Sequence, residues 1–262
     1  MRSLGLATDL LALEGVSRVE RHSDRLVVRT PDQPDFWSGN MVIFLGPPGE
    51  PEDEEARFRT DFPEATHLHI DWDWPDLDPE PLRALWAVRG AEVEMDDVLA
   101  REGPPPPRPV PEGYSLRELD PDRDRDWDES LRVALAVGTG EGYDEASHRP
   151  YLHRRIEGRR RQAAQGRLRW WGAFRGEELA AQMGLVEGEA DGRHLGRFQA
   201  VEAHPDHRRR GLCAGLLAHV GAAARAPVLV IVAEAEGEAG RIYRRAGFAP
   251  VERLVSVQRR GY

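Results

Sequence analysis

A run of prolines near the middle of the chain limits how it can fold more than any other feature. Residues 103–113 read GPPPPRPVPEG, and six of these eleven residues are proline. Because proline has no backbone N–H and a fixed φ angle, such a stretch cannot belong to a helix or a central strand. We therefore predict a semi-rigid linker over residues 103–112 between two domains, 1–102 and 113–262. The alternative is a surface loop inside a single domain.

The stretch after the linker alternates between strand and helix patterns. A short strand at 114–120 precedes two helices, at 124–137 and 148–165, with an acidic, glycine-rich loop between them. Three strand-like runs, a helix, a strand, another helix and a last strand follow. This order predicts an α/β fold with a mixed sheet rather than a doubly wound parallel sheet.

Composition narrows the classes of function. The formal net charge of −10 argues against broad nucleic-acid binding. No apolar run approaches the ~20 residues that a membrane span requires. The N-terminal residues do not have the pattern of a secretion signal, because Asp9 interrupts them. The single cysteine, Cys213, allows neither an internal disulfide nor a cysteine zinc cluster. We expect a cytoplasmic protein without metal, membrane or nucleic-acid partners.

Positive charge is nevertheless concentrated in one short loop, HPDHRRRGLCAG, at residues 204–215. The loop follows a strand pattern and precedes a helix pattern. The N-terminus of a helix binds anions well, because its first N–H groups lack partners within the helix and the helix dipole is positive there. Gly211 allows close approach of a ligand to the backbone. We predict a pyrophosphate site; a solvated basic loop is the alternative.

The loop resembles the acyl-CoA-binding loop of the GNAT superfamily of N-acetyltransferases. Residues Arg208 to Cys213 are similar to its Q/R-x-x-G-x-G/A signature, and Val201 to Pro205 are similar to the V-x-A-x-P run before it. Cys213 stands where glycine or alanine is usual. We expect it to pack in the helix rather than to act as a nucleophile. The resemblance covers residues 113–262 and implies acetyl-CoA as the co-substrate.

The resemblance also implies which backbone groups bind acetyl-CoA. The end of the strand would bind the pantetheine arm and the acetyl carbonyl, and the loop with the start of the helix would bind the pyrophosphate. The residues so predicted are Val201, Glu202, Ala203, Arg208, Arg209, Arg210, Gly211, Leu212, Cys213 and Ala214.

A second motif, IYRRAGFAPV at 242–251, resembles the Y-x-x-x-G-F segment of the same superfamily. The resemblance implies that Tyr243 is the general acid that protonates the departing CoA thiolate. The alternative is an aromatic core residue on an amphipathic helix. Glu236 stands where an asparagine often contacts CoA in the superfamily. No general base is assigned; the candidates are Glu202, Glu234, Glu236, His148 and His153.

The first half of the chain contains a segment with the same aromatic-to-glycine spacing as the second motif. Trp86 lies four residues before Gly90, as Tyr243 lies four residues before Gly247. Internal similarity of this kind suggests a duplicated fold. We therefore predict a degenerate GNAT-like domain, because this half has no arginine-glycine loop and tryptophan cannot usefully protonate a thiolate.

The combined prediction is an acetyl-CoA-dependent N-acetyltransferase that acts on a primary amine of a small molecule or peptide. One chain with two similar halves predicts a monomer that is a pseudo-dimer. Two alternatives remain: a non-catalytic acyl-CoA-binding or interaction module, and an aminoacyl transferase of the tandem GNAT-like type. The acceptor is open as well, since the acidic loop favours a cationic amine and the arginine-rich helix at 148–165 favours a partly anionic one.

Overall fold

The structure, a computed structural model, describes residues 1–235 and 237–260. The chain forms two compact units. Unit 1 contains Met1–Leu99, Val232–Gly240 and Pro250–Tyr262, and unit 2 contains Ala100–Ile231 and Arg241–Ala249.

Unit 1 is a mixed sheet with helices. Its elements, in chain order, are α1 (Leu4–Leu13), β1 (Arg18–Arg21), β2 (Arg25–Arg29), β3 (Met41–Phe44), α2 (Pro51–Asp61), β4 (His67–Trp72), α3 (Pro79–Ala87), β5 (Glu92–Glu102) and β11 (Ala249–Arg260). The strand order is β1-β2-β3-β4-β11-β5. Strands β3 and β4 are parallel and are joined through α2, whereas β11 is antiparallel to β4.

Alternation along β4 fixes one face of this sheet. Leu68, Ile70 and Trp72 point into an apolar cluster that also contains Phe58 of α2 and Trp86 of α3. A period of two is what a strand requires to turn alternate side chains to one face. The α2 and α3 helices therefore cover this face of the sheet.

Unit 2 has the order of elements that the sequence predicts. They are β6 (Ser115–Glu118), α4 (Asp124–Gly140), α5 (Glu145–Ala164), β7 (Leu168–Arg175), β8 (Glu178–Ala190), β9 (Arg193–Ala203), α6 (Leu212–Ala222), β10 (Val228–Glu234) and α7 (Glu238–Arg245). The strand order is β10-β9-β8-β7-β6. Neighbours are antiparallel from β6 to β9, and β9 is parallel to β10. The predicted mixed α/β fold is confirmed.

The proline-rich segment differs from the predicted linker, because it lies within unit 2 and packs on α6. A Cβ built on Gly221 would lie 2.3 Å from Cδ of Pro105, so only glycine allows this approach. The segment is also anchored at its start, where the Gly103 N–H donates to the Pro227 carbonyl at 2.9 Å. Prolines without donors suit a strap of this kind, since they leave no N–H to satisfy.

The last strand also departs from the predicted boundaries. The sequence assigns residues 113–262 to one domain, yet β11 belongs to unit 1 from Pro250 onward. Its residues Ser256 to Arg260 pair with β4, in register from Asp71 to His67. The C-terminal end of the chain therefore belongs to unit 1 rather than to unit 2.

The similar spacing in the two halves corresponds to two helices that end in the same way. Helix α3 ends near Gly90, which has a φ of 70°, and α7 ends near Gly247, which has a φ of 86°. The Trp86 carbonyl accepts the Ala91 N–H at 3.1 Å, and the Tyr243 carbonyl accepts the Phe248 N–H at the same distance. Both helices thus end with a left-handed glycine and lead into a long strand.

Among the described residues, no helix is long and apolar enough to cross a membrane.

Candidate active site

A bulge in β9 shapes the predicted acetyl-CoA site. The pairing of β9 with β8 shifts register between Gln182 and Gly184, so that Ala200 and Val201 oppose a single residue of β8. Ala200 takes up the extra length with a φ of 45°. Bulges bend a strand and re-aim the side chains that follow, and here the residue that follows is Glu202.

Beyond the bulge, β9 has an open edge. Among the described residues, its parallel ladder with β10 runs only from Leu195 to Arg197. The strand itself continues to Ala203. The backbone groups of Val201 to Ala203 on that side therefore lie past the last ladder pair, where a ligand can hydrogen-bond to them.

The loop after β9 is held by a buried histidine. Residues Pro205–His207 form a 3₁₀ turn, and His207 is 5% exposed. Its Nδ1 lies 2.8 Å from the Tyr114 hydroxyl and its Nε2 lies 3.3 Å from Glu178 Oε1. Both ring nitrogens of His207 therefore have a hydrogen-bond partner. This side chain fixes the course of the loop before the arginines.

Gly211 opens α6 in a conformation that suits glycine. It has a φ of 80° and supplies no side-chain cap to the helix. A Cβ built at this position would meet no atom within 4 Å, so there is free space over the backbone. The first helical hydrogen bond runs from the Gly215 N–H to the Gly211 carbonyl at 2.9 Å. The N–H groups of the residues between them, Leu212 to Ala214, are those that a helix leaves for an anion.

The three arginines that precede Gly211 in the chain are all exposed. Arg208 Nε donates to the Ala203 carbonyl and Arg210 Nη2 donates to the Asp206 carbonyl, both at 3.3 Å. Arg209 has a φ of 59°, which is uncommon outside glycine. The contacts turn two of the guanidinium groups back toward the loop, so that positive charge stays beside the helix N-terminus.

Cys213 and Tyr243 are both protonated in this environment. Burial raises the pKa of the Cys213 thiol to about 11, with the negative charge of Glu202 adding to the effect. Burial likewise raises the pKa of Tyr243 well above its usual value, and the Arg197 charge opposes this. A thiol with a raised pKa is a poor nucleophile. The Tyr243 phenol, which is 5% exposed, keeps a proton that it can donate.

Glu202 is a half-buried acid near the end of β9. Burial raises the pKa of this carboxyl, and the Arg159 charge together with a hydrogen bond from Gln182 opposes the rise. Gln182 Nε2 donates to Glu202 Oε2 at 2.7 Å. The Gln182 amide is itself fixed, because its Oε1 accepts from Ser130 at 2.6 Å and from Trp170 Nε1 at 3.0 Å. A positioned carboxyl with a raised pKa suits a general base.

Comparison with solved structures identifies the fold. A conserved protein of unknown function from Staphylococcus epidermidis is similar over 93% of both chains, with a TM-score of 0.67 and 12% identity. A GCN5-related N-acetyltransferase from Kribbella flavida matches 98% of this chain and 95% of its own, with a TM-score of 0.63 and 17% identity. The chain has the GNAT fold.

A tandem GNAT protein from the clavulanic acid biosynthesis pathway is also similar. It covers 94% of this chain and 83% of its own length, with a TM-score of 0.55 and 17% identity. No family model and no curated protein matches the sequence. The GNAT fold that the resemblance implied is therefore confirmed.

Within this GNAT fold, the other candidate bases lie in different surroundings. Glu234 is exposed at the end of β10, in the part of the chain that belongs to unit 1, and His153 is exposed on α5. His148 stacks on Tyr143 with ring centroids 4.5 Å apart, and burial lowers its pKa. Glu236 lies outside the described residues. These features leave Glu202 as the candidate that has both a fixed position and a raised pKa.

The sequence analysis missed the side chains that hold Glu202. Gln182 lies in the middle of the apolar run LAAQMGLV, and it is fully buried. A glutamine in such a run must find hydrogen-bond partners when the strand is buried. This rule could have predicted that Gln182 has hydrogen-bond partners. It could not identify them as Ser130 and Trp170, because both are distant from Gln182 in sequence.

Proposed function

We propose that the protein is an acetyl-CoA-dependent N-acetyltransferase that acetylates a primary amine of a small molecule. One observation carries the proposal: unit 2 combines an uncapped helix N-terminus, opened by Gly211 and flanked by arginines, with the free edge of a bulged strand. The first feature suits a pyrophosphate and the second suits an amide-containing arm. The GNAT fold supports this chemistry by analogy.

The donor-binding residues follow from this geometry. Backbone groups of Val201, Glu202 and Ala203 would hydrogen-bond the pantetheine arm and the acetyl carbonyl. The loop and helix start, Arg208 to Ala214, would hold the pyrophosphate. The site fits this group because the space over Gly211 is open and α6 has no acidic residue in its first turn.

Acetyl-CoA, when bound, supplies the acetyl group as a thioester. Glu202 accepts the proton of the attacking amine, since its raised pKa makes it a stronger base than an ordinary carboxylate. Tyr243 donates its proton to the departing sulfur, because the phenol is kept protonated at neutral pH. Proton acceptance and donation thus belong to residues on β9 and α7, with no role for the Cys213 thiol.

The first half is proposed as a degenerate copy that binds no acetyl-CoA. Its region between β3 and α2 has no arginine, and the first turn of α2 carries Glu52, Asp53 and Glu54. Acidic side chains at a helix N-terminus repel a phosphate. We therefore expect one acetyl-CoA site for each chain.

The proposal is tested by two measurements on the full chain. Calorimetry with acetyl-CoA should give a stoichiometry near one per chain, and release of free thiol should occur with at least one member of a panel of amines. Binding without thiol release would point to a non-catalytic acyl-CoA module. No binding, or two equivalent sites per chain, would contradict the proposal.

A further inference from the structure

The helix that carries Tyr243 is short and mostly exposed. Helix α7 has eight residues, and an isolated helix of this length is not stable in water. Residues 241–245 are exposed except Tyr243, which is buried. The position of the Tyr243 phenol therefore depends on how the end of α7 is attached to the rest of unit 2.

The turn that ends α7 is bonded directly to the Tyr243 backbone. The Tyr243 carbonyl accepts two N–H groups of this turn, from Ala246 at 3.0 Å and from Phe248 at 3.1 Å. The Phe248 ring is buried and packs in a T-shaped arrangement against Phe198 of β9, with ring centroids 6.1 Å apart. A movement of this turn would therefore move Tyr243 as well.

Arg101 contacts the same turn. Its Nη1 donates to the Ala246 carbonyl at 2.5 Å. Carbonyl groups at the end of a helix lack partners within the helix, and the helix dipole favours positive charge there. The Cζ atom of Arg101 also lies 5.9 Å from the centroid of the Phe248 ring. Arg101 thus contacts both residues whose N–H groups are bonded to Tyr243.

The other end of this bridge is also anchored. Arg101 lies near the end of β5, in the part of that strand that belongs to unit 2. Its Nε donates to the Gly103 carbonyl at 2.9 Å, and the Gly103 N–H in turn donates to the Pro227 carbonyl. The guanidinium group therefore joins the end of α7 to a fixed segment of backbone far away in the chain.

Gly247 makes room for this contact. A Cβ built on Gly247 would lie 2.6 Å from Nη1 of Arg101. Any side chain at this position would displace the guanidinium group or the turn. The glycine that ends α7 with a φ of 86° therefore also allows Arg101 to reach the Ala246 carbonyl.

We propose that Arg101 is a positioning residue for Tyr243, which fixes the end of α7 so that the phenol is aimed at the departing sulfur. The pKa of Tyr243 is shifted by burial and by the charges of Cys213 and Arg197. Arg101 therefore acts on the position of the phenol rather than on its protonation. This inference rests on the proposed function, in which Tyr243 is the general acid.

The first experiment is Arg101→Met, which keeps an unbranched side chain beside Phe248 and removes both donors. The kcat for thiol release, at matched folded concentration, should fall by about 10- to 100-fold, because a displacement of ~1 Å can cost 10²-fold in rate. The dissociation constant of acetyl-CoA should change little, since Arg101 does not contact the loop before α6. A kcat equal to that of the parent would overturn the proposal.

Arg169→Met is the matched control. Arg169 Nη2 donates to the Ala223 carbonyl at the end of α6 at 3.0 Å. Its Cζ lies 5.9 Å from the centroid of the Trp171 ring. The variant therefore also removes an arginine from the end of a helix, but that helix does not carry Tyr243. It should keep the parental kcat. A loss of kcat as large as in Arg101→Met would contradict a role specific to Tyr243.

A double variant tests whether Arg101 acts through Tyr243. In the Tyr243→Phe background, Arg101→Met should lower kcat little further, because no phenol remains to be positioned. The same fold-loss in both backgrounds would overturn the proposal. If Arg101→Met does not fold, Arg101→Lys serves for the same comparison. Lysine keeps the charge but has no planar fork to bridge the two carbonyls.

Hydrogen exchange gives a readout that does not depend on turnover. The amides of Ala246 and Phe248, which both donate to the Tyr243 carbonyl, should exchange about 10-fold faster in Arg101→Met than in the parent. Their exchange should be unchanged in Arg169→Met. Equal exchange at these two amides in all three proteins would overturn the proposal.

These outcomes separate the inference from the proposed function. If Tyr243→Phe lowers kcat and Arg101→Met does not, the acetyltransferase stands and the positioning role is wrong. If the parent releases no thiol with any amine, the acetyltransferase is wrong. The positioning role is then wrong as well, whatever the exchange rates, because it requires the reaction.

Discussion

Each unit contains one helix that follows a strand paired in parallel with the next strand of the chain. In unit 1, β3 leads into α2, and in unit 2, β9 leads into α6. The start of α2 carries three acidic residues, whereas the start of α6 carries none and is preceded by three arginines. The same backbone arrangement therefore has opposite charge in the two units.

The difference goes beyond net charge, because α2 already holds an anion of its own. Glu54 Oε1 accepts the Gly49 N–H and the Trp72 indole N–H, both at 2.8 Å. Burial raises the pKa of Glu54. The Gly49 N–H, just before α2, and the Trp72 indole N–H of β4 are thus both occupied by a side chain of α2. We therefore expect the start of α6, where the chain provides no carboxylate, to bind an external anion, and the start of α2 to bind none.

The largest expected effect comes from placing an acidic residue at the N-terminus of α6, where α2 has three. Gly211→Glu places a carboxylate at the predicted pyrophosphate site, so that repulsion and steric exclusion act together. We expect acetyl-CoA binding to be lost in calorimetry while circular dichroism shows a folded protein. The positive φ at this position costs about 1–2 kcal/mol for a residue other than glycine.

Gly176→Glu is the matched control for that variant. Gly176 has a φ of 61° and open space around it, but it lies in the turn between β7 and β8. It should lose similar stability and retain binding. If Gly211→Glu binds acetyl-CoA as tightly as the parent, the donor site is elsewhere.

The next effect compares the aromatic residues near the ends of α3 and α7. Tyr243→Phe should lower the rate of thiol release at saturating acetyl-CoA by ~10²–10⁴-fold, because a general acid contributes in this range. The dissociation constant should change little, since the hydroxyl acts only as sulfur departs. A loss below about threefold, well under that range, would remove Tyr243 from the mechanism.

Trp86→Phe is the corresponding change in unit 1. Trp86 is fully buried and its indole Nε1 has no hydrogen-bond partner. We expect the unfolding free energy to fall by about 1–2 kcal/mol, as for a moderate loss of core packing. Thiol release at matched folded concentration should stay at the parental rate. A large loss of turnover here would mean that unit 1 takes part in the chemistry.

A third comparison concerns the strands. Strand β3 reads MVIF and is apolar along its length, whereas β9 carries Glu202. Activity of the parent should rise with pH as Glu202 ionises, through a pKa above the ordinary 4.5 of glutamate. Glu202→Gln should lower kcat and flatten this acidic limb. A pH profile of Glu202→Gln that overlays the parental profile would assign the base elsewhere.

The smallest effect comes from removing the internal anion of α2. The folded-state pKa of Glu54 is raised, so its contribution to stability is fully present below pH 4.5 and is lost as pH rises through the folded pKa. Glu54→Gln stays neutral and keeps an acceptor oxygen for both donors. At pH 7, its melting temperature should be the same as that of the parent or a few degrees higher. Below pH 4.5, the two proteins should melt at the same temperature.

The acetyl-CoA stoichiometry of Glu54→Gln should stay near one, because Glu52 and Asp53 remain in the first turn of α2. Thermal melts between pH 4 and pH 8 and calorimetry measure the two outcomes. Binding of a second acetyl-CoA per chain would show that Glu54 alone prevents binding at α2. The other acidic residues at the start of α2 would then have no part in the difference between the two units.

The sequence by itself determined the order of elements, the loop from Arg208 to Gly211 and the tyrosine four residues before Gly247. These features depend on neighbours within a few residues: periodicity, a glycine at a left-handed position and charge at a helix start. The general base stayed open among several acids and histidines, because local sequence does not report burial.

Tertiary structure decided what depends on distant residues. It set β11 against β4 in unit 1, packed Pro105 on Gly221, and placed the half-buried Glu202 carboxyl against the Gln182 amide. Pairing of a strand with a distant partner and the pKa of a buried acid are both fixed by residues far away in the chain. For that reason the sequence predicts where the donor would bind, whereas only the folded chain shows that Gln182 holds the Glu202 carboxyl in place.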